Sequence, residues 1–144
     1  MILVDANLLL YAYDTSSDRH ERARQWLRSV LVSDDEIRFA LMTLLAFVRI
    51  ASNPSVFERP MRPEEAIAVV SELLERPNVS LAEPTARHWS LLADVARDGQ
   101  ARGSQVMDAH LAVLAIEHGA TLYTTDRDFA RYRGLRLVDP MTAA

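Results

Sequence analysis

The chain has 144 residues, 49% of them apolar and 25% charged, with a formal net charge of −4 and no cysteine. That suits one compact domain, residues 1–144, with a single sizeable core, and it excludes disulfides and thiolate metal sites. The negative balance argues against bulk nucleic-acid affinity but leaves a local basic patch open. The absence of cysteine fits a reducing cytoplasm. The start "MILVDANLLLYAYD" has no basic flank or cleavage site of a signal peptide, and no apolar run is long enough to span a bilayer, so no membrane partner is expected.

In chain order, "ILVD" (Ile2 to Asp5) reads as a short buried strand and "NLLLYAY" as a short helix. "SDRHERARQWLRSVLVS" is a clearer helix, with Ala23, Trp26, Leu27, Val30 and Leu31 on one face. "IRFAL" is strand-like, and "TLLAFVRIAS" is a buried helix for which Thr43 is the expected N-cap. After the loop "NPSVFERPMR", Pro63 opens a helix that Pro77 stops. "NVSLA" is a strand, "TARHWSLLADVARD" a helix ended by Gly99, and "GQARGS" a loop. "SQVMDAHLAVLAIEH" is a strongly apolar helix with Gly119 where a left-handed cap is wanted. "TLYTT" and "LRLV" are the last strands. Short apolar strands alternating with helices predict an α/β sandwich around a mostly parallel sheet.

Sites in open parallel sheets form at the carboxyl ends of strands. Asp5 ends the first strand, and Asp126, in "TTDRDF", follows the fourth. If those strands are adjacent and parallel, the two carboxylates converge. Asp108 stands near the start of an apolar helix with no lysine or arginine one turn away. A helix N-terminus favours such an anion by roughly 0.3–1 kcal/mol at a surface site. Two carboxylates about 4 Å apart repel by roughly 4 kcal/mol at an effective dielectric near 20, so several converging acids call for a cation. Oxygen ligands without cysteine point to Mg²⁺, with Mn²⁺ as a substitute, and to metal-assisted phosphodiester hydrolysis. Asp126 and Asp128 also admit a plainer reading, a sharp turn capped by its own side chains.

"ILVDANLLLYA", "GSQVMDAHLAVLAIEHGATLYTTDRDF" and the closing "GLRLVDP" resemble the PIN-domain family, nearest to the VapC-type toxins of bacterial toxin–antitoxin pairs. "LLAFVRIASNPSVFERPMRPEEA" resembles one branch of those toxins, so the likeness spans essentially the whole chain. It implies a three-layer α/β/α sandwich with a five-stranded parallel sheet. It also implies Mg²⁺- or Mn²⁺-dependent cleavage of RNA, a homodimer, and silencing by a cognate antitoxin. Residue by residue, it implies that Asp5, Asp108 and Asp126 hold the metal and that Asp128 is an additional catalytic acid. Asn7 and Thr124 match polar positions that orient ligands or water by hydrogen bonds.

One position departs from the family pattern. The family has a glutamate on the helix after the second strand, in T-x-x-E-hydrophobic-hydrophobic-R; here "TLLAFVR" puts Ala46 there. Asp34, Asp35 and Glu36 belong at the amino end of the second strand, and Glu58 lies in a loop. The site is therefore expected to run on aspartates. Ala46 also motivates an alternative: a catalytically weak binding module whose main role is antitoxin or RNA binding. A phosphotransfer domain of the dehalogenase or receiver type also puts acids at strand ends, but "DANLL" has neither the second acid nor the threonine of its motif.

Arg127, Arg131 and Arg133, with Arg136, cluster near the acids as candidates for holding RNA or an acidic antitoxin tail. His20, Arg22, Arg24 and Arg28 form a second basic face, either solvated or phosphate-contacting. His110 and His118 are eight residues apart and form no local metal pair; His118 is expected to cap its helix and His88 to lie at the surface or core edge. Trp26 and Trp89 are expected in the core or at a subunit interface.

Overall fold

The computed structural model describes residues 1–142; residues 143–144, the end of the expected 1–144 unit, lie outside the described residues. Five three-residue strands, β1 (Ile2–Val4), β2 (Ile37–Phe39), β3 (Val79–Leu81), β4 (Thr121–Tyr123) and β5 (Arg136–Val138), form one sheet. Their order is β3-β2-β1-β4-β5 and every pairing is parallel. Six helices connect them: α1 (Ala6–Tyr13), α2 (His20–Leu31), α3 (Leu41–Ala51), α4 (Pro63–Leu74), α5 (His88–Asp98) and α6 (Gln105–His118). None of the described helices is long and apolar enough to cross a membrane.

The alternation of side chains along β1 sets the layers. Ile2 and Val4 enter a core shared with Leu8 and Leu9 of α1, Leu27 of α2, Phe47 of α3 and Ala66 of α4. Leu3 points into the other core, among Leu111, Ala112 and Ala115 of α6, with Leu92 and Val95 of α5 packed against it. Helices thus cover both faces, as an all-parallel sheet requires, and the expected three-layer sandwich is what forms. Val4 is fully buried, so β1 tolerates no polar residue before Asp5.

The strands are shorter at their ends than their sequences suggest, because the acids and small residues that follow leave the ladder to cap or turn. Thr43 does not cap α3. The helix starts three residues earlier, with Ala40 as N-cap in extended conformation, and Thr43 N–H already bonds Ala40 O at 3.0 Å. The Thr43 hydroxyl is buried without a partner among the described residues. Gly119 does occupy the left-handed region, at φ 66°. His118 does not cap its own helix: its Nε2 bonds Glu83 O at 2.6 Å, bracing the segment after β3.

Gly99 ends α5 for a different reason from Gly119. Its φ is −84°, which any residue adopts. A Cβ there would meet the Tyr132 ring at 2.6 Å and Val95 O at 3.2 Å. Tyr132 is 3% exposed and its hydroxyl donates to Gln105 O at 3.0 Å, so the ring has nowhere to retreat. Gly99→Ala should lose about 1–3 kcal/mol of stability in urea unfolding, the usual cost of overpacking. An unchanged midpoint would show that the ring moves freely.

Candidate active site

Parallel pairing of β1 with β4, in the register Val4↔Tyr123, sets the ends of the two strands side by side. Asp5 N–H bonds Tyr123 O at 3.0 Å, which carries the pairing one residue past β1. Asp5 then turns the chain into α1 as its N-cap: Oδ1 accepts from Ala6 N–H at 2.7 Å. Its other oxygen accepts from the Thr124 hydroxyl at 2.7 Å and, at a long 3.5 Å, from Asn7 Nδ2.

Thr124 is the hub of this arrangement. It is 2% exposed. While donating to Asp5, its hydroxyl oxygen accepts from Asn7 Nδ2 at 3.2 Å and from Asp126 N–H at 3.0 Å. Asp126 in turn caps a short 3-10 helix, Arg127–Arg131, by accepting from Asp128 N–H at 2.9 Å. The capping reading of "TTDRDF" is therefore realised, and it accounts for one oxygen of Asp126. Asp108 lies in the first turn of α6.

The acids share one electrostatic environment. Burial raises the Asp5 carboxyl above its ordinary 3.8; the Thr124 and Ala6 hydrogen bonds oppose that, and the Asp126 charge adds to it. Asp108 is also raised, first by burial and then by Asp126, Asp5 and Asp128, with only Arg131 pulling it down. No glutamate figures among these charges, in keeping with Ala46. Asn7 Oδ1 is buried beside Asp5 with no hydrogen-bond partner among the described residues, an acceptor left for a ligand or water.

Among the described residues, no three His, Asp or Glu side chains stand close enough together to enclose a metal ion by themselves. Mg²⁺ needs no such cage: it keeps several waters and takes one or two carboxylates. A hard, anionic, mutually repelling oxygen set with an orphaned amide oxygen fits such an ion.

The predicted cations divide. Arg131 sits against the site, with its guanidinium on Gly99 O at 3.4 Å. Arg127 is exposed and lines a cleft of about 350 Å³ with Arg19, Arg22, Thr125 and Asp139. Arg133 is exposed. Arg136 instead donates to Gly119 O, a structural anchor. His20, Arg24 and Arg28 line a separate cleft of about 390 Å³ with Tyr13, Leu27 and Arg76. Trp26 stacks on Tyr123 with ring centroids 5.5 Å apart, whereas Trp89 is 79% exposed and belongs to no core.

A polar group that sequence reasoning missed joins α5 to α6. His88 is buried, and its Nδ1 bonds Glu117 Oε2 while its Nε2 bonds His110 Nδ1 at 2.8 Å. Thr85 donates its N–H and hydroxyl to Glu117 Oε1. Burial would push Glu117 up, but the Thr85 and His88 bonds outweigh it and hold the carboxyl below its usual range. The available signal was the spacing of His110 and Glu117, seven residues or two helical turns apart on one face.

A PIN domain family model matches residues 2–135. "Ribonuclease VapC37" of Mycobacterium tuberculosis is 42% identical over 140 residues, 97% of each chain. Among solved structures, a "Toxin-antitoxin complex from Klebsiella pneumoniae" matches at TM-score 0.66 and 18% identity, covering 97% of this chain and 98% of that one. Mycobacterium tuberculosis VapC20, described as a "Sarcin-Ricin loop cleaving toxin", matches at TM-score 0.68 and 16% identity over 94% and 99%. Those two likenesses concern the fold.

The raised carboxyls make a pH prediction. An acid whose folded-state pKa lies above its unfolded value destabilises the fold while ionised. The penalty fades as pH falls through the folded-state value and is gone below the unfolded one. Metal-free Asp108→Asn should therefore melt above the wild type at pH 7, and the gap should close by about pH 3. A variant that melts lower at pH 7 would contradict the repulsion.

Proposed function

The chain belongs to the PIN domain family, and from that membership and the geometry of its acids we propose that it is a metal-dependent endoribonuclease, the toxin of a toxin–antitoxin pair. The observation that carries the reading is the Thr124 hub, which fixes Asp5 and Asp126 at neighbouring strand ends without neutralising either charge.

Asp5, Asp108 and Asp126 would hold the cation, Mg²⁺ or Mn²⁺, one or two of them directly and the rest through its bound waters, and the bound ion would supply an activated water and offset charge developing on the phosphate. Each capping bond leaves carboxylate oxygen lone pairs available, since a carboxylate accepts at about four positions. Asp5 and Asp126 are thus both oriented by the backbone and open to a ligand. Thr124 and Asn7 orient Asp5. Asp128, exposed at the start of the 3-10 helix, accepts the proton released from the attacking water. Arg127, Arg131 and Arg133 hold the flanking phosphates, and such contacts carry no base preference.

The partner chemistry follows the surface. The cleft lined by His20, Arg24, Arg28 and Arg76 has an apolar wall from Leu27 and Leu31, which suits an acidic amphipathic segment of a cognate antitoxin. Exposed Leu45, Val106, Met107 and Trp89 leave apolar surface for a second copy, in keeping with a homodimer. A cytoplasmic location fits a protein that meets RNA. The alternative of a catalytically weak binding module keeps one specific support, Ala46 in place of the glutamate.

RNA cleavage by the purified chain separates the two. Wild type should cut RNA in Mg²⁺ or Mn²⁺ and stop when the metal is chelated. Asp126→Asn, folded as judged by circular dichroism, should lose at least about 100-fold in rate, the order expected when one charged group of a preorganised site is removed. Equal cleavage by the variant would sink the assignment, and inactivity of the wild type with intact antitoxin binding would favour the binding module. Thr124→Val should lower the rate less than Asp126→Asn while costing about 1–3 kcal/mol of stability, because it strips Asp5, Asn7 and Asp126 N–H of one shared partner.

A further inference from the structure

The group that joins α5 to α6 ends in a cavity that the catalytic acids do not use. Glu117 can only accept, so the hydrogen of its bond to His88 sits on His88 Nδ1. In a neutral ring His88 Nε2 is then an acceptor, and His110 Nδ1 supplies the hydrogen of the 2.8 Å bond. That leaves His110 Nε2 as an acceptor with no protein partner among the described residues. The Thr85 bonds lock Glu117 at the far end and so fix the ring orientations, and with both rings neutral the tautomer follows.

His110 lines a cavity of about 360 Å³, whose other walls include Ala40, Met42, Leu81, Pro84 and Leu114. Ligand pockets begin at about 300 Å³ and combine apolar walls with a few placed polar groups. Glu83, whose carboxylate is also an acceptor, lines the same cavity. The cavity opens where β2 and β3 end, one and two strands from Asp5, which is roughly 5 and 10 Å across the sheet. It shares α6 with Asp108, but His110 is rotated roughly 200° from Asp108 around the helix. His110 thus faces away from Asp108, and a base in the cavity would belong to a nucleotide further along the strand than the phosphate that the acids hold.

We infer that this cavity is a nucleobase subsite, in which His110 Nε2 and Glu83 accept hydrogen bonds from a base that carries an amino group. Unpaired RNA bases are read in this way, splayed against side chains and bonded along their edges. Two acceptors fit the amino group of adenine or cytosine, or the N1–H and amino group of guanine; uracil offers only its N3–H, flanked by two carbonyl oxygens that both acceptors repel. His110 is a specificity-determining residue here and takes no part in the hydrolysis. The inference rests on the ribonuclease reading for its substrate class, though base binding can be read without cleavage.

Two measurements on the full chain test it. In the first, AMP, CMP, GMP and UMP are titrated while the imidazole nitrogen signals are followed by NMR. At least one amino-bearing nucleotide should shift His110 Nε2 and bind about three- to tenfold more tightly than UMP. His110→Ala should abolish that difference, and His110→Gln, which can keep an acceptor, should restore part of it. UMP binding as well as the others, or a preference that survives in His110→Ala, would overturn the proposal. In the second, cut sites in a random-sequence RNA pool are sequenced. An amino-bearing base should be preferred at one fixed position relative to the cut, and His110→Ala should flatten that preference. Active cleavage with a pattern untouched by His110→Ala would overturn the subsite. Base selectivity at His110 in a chain that cuts no RNA would sink the nuclease reading and support the subsite.

Discussion

The parallel pairing of β1 with β4 is the constraint on which the site depends. Each strand is only three residues long, and each delivers its aspartate just past its last paired residue or within three residues of it. The Asp5 N–H bond to Tyr123 O and the Thr124 hydroxyl bond to Asp5 tie the two strand ends together where the ladder stops. A slip of one residue would turn Leu3 and Val4, both fully buried, to the wrong faces of the sheet. The two apolar cores therefore enforce the register, and the register sets the spacing of the carboxylates.

That spacing runs against stability. Asp108 is raised first by burial and then by Asp126, Asp5 and Asp128, with Arg131 opposing, and Asp5 is raised first by its own burial. The fold offsets part of the cost with backbone donors: Ala6 N–H on Asp5 and Asp128 N–H on Asp126. The same residues thus act as helix caps and keep negative charge together at the strand ends, and in the proposed function these carboxylates are the ligands. Capping and metal holding are usually weighed as rivals for such acids; here the cap orients the carboxylate and leaves lone pairs free.

The layers, the parallel sheet and the order of the acids were legible because apolar strands alternate with amphipathic helices and because Asp5 and Asp126 directly follow strand-like runs. Gly119 was legible because only a left-handed residue ends such a helix cleanly. Thr43 misled because capping preference is local, whereas the start of α3 is set by where β2 leaves the sheet at Ala40. His88 was read as an edge residue because its partners lie 22 and 29 positions away on another helix. Gly99 does end α5, but the reason, the Tyr132 ring that it must clear, comes from a distant part of the chain and is not legible locally. The roles of the aspartates, the metal and the arginines remain the proposal built on that frame.

In the proposed function the aspartates form a mutually repelling set that a divalent cation completes without a glutamate at Ala46. Mn²⁺ binding to the purified chain, followed by electron paramagnetic resonance of the free ion, tests it most directly. The wild type should bind saturably, with Mg²⁺ displacing the ion, and binding should weaken at least about tenfold, or 1.4 kcal/mol, in Asp5→Asn and in Asp126→Asn. Binding that is absent in the wild type, or unaltered when either aspartate is replaced, would contradict it.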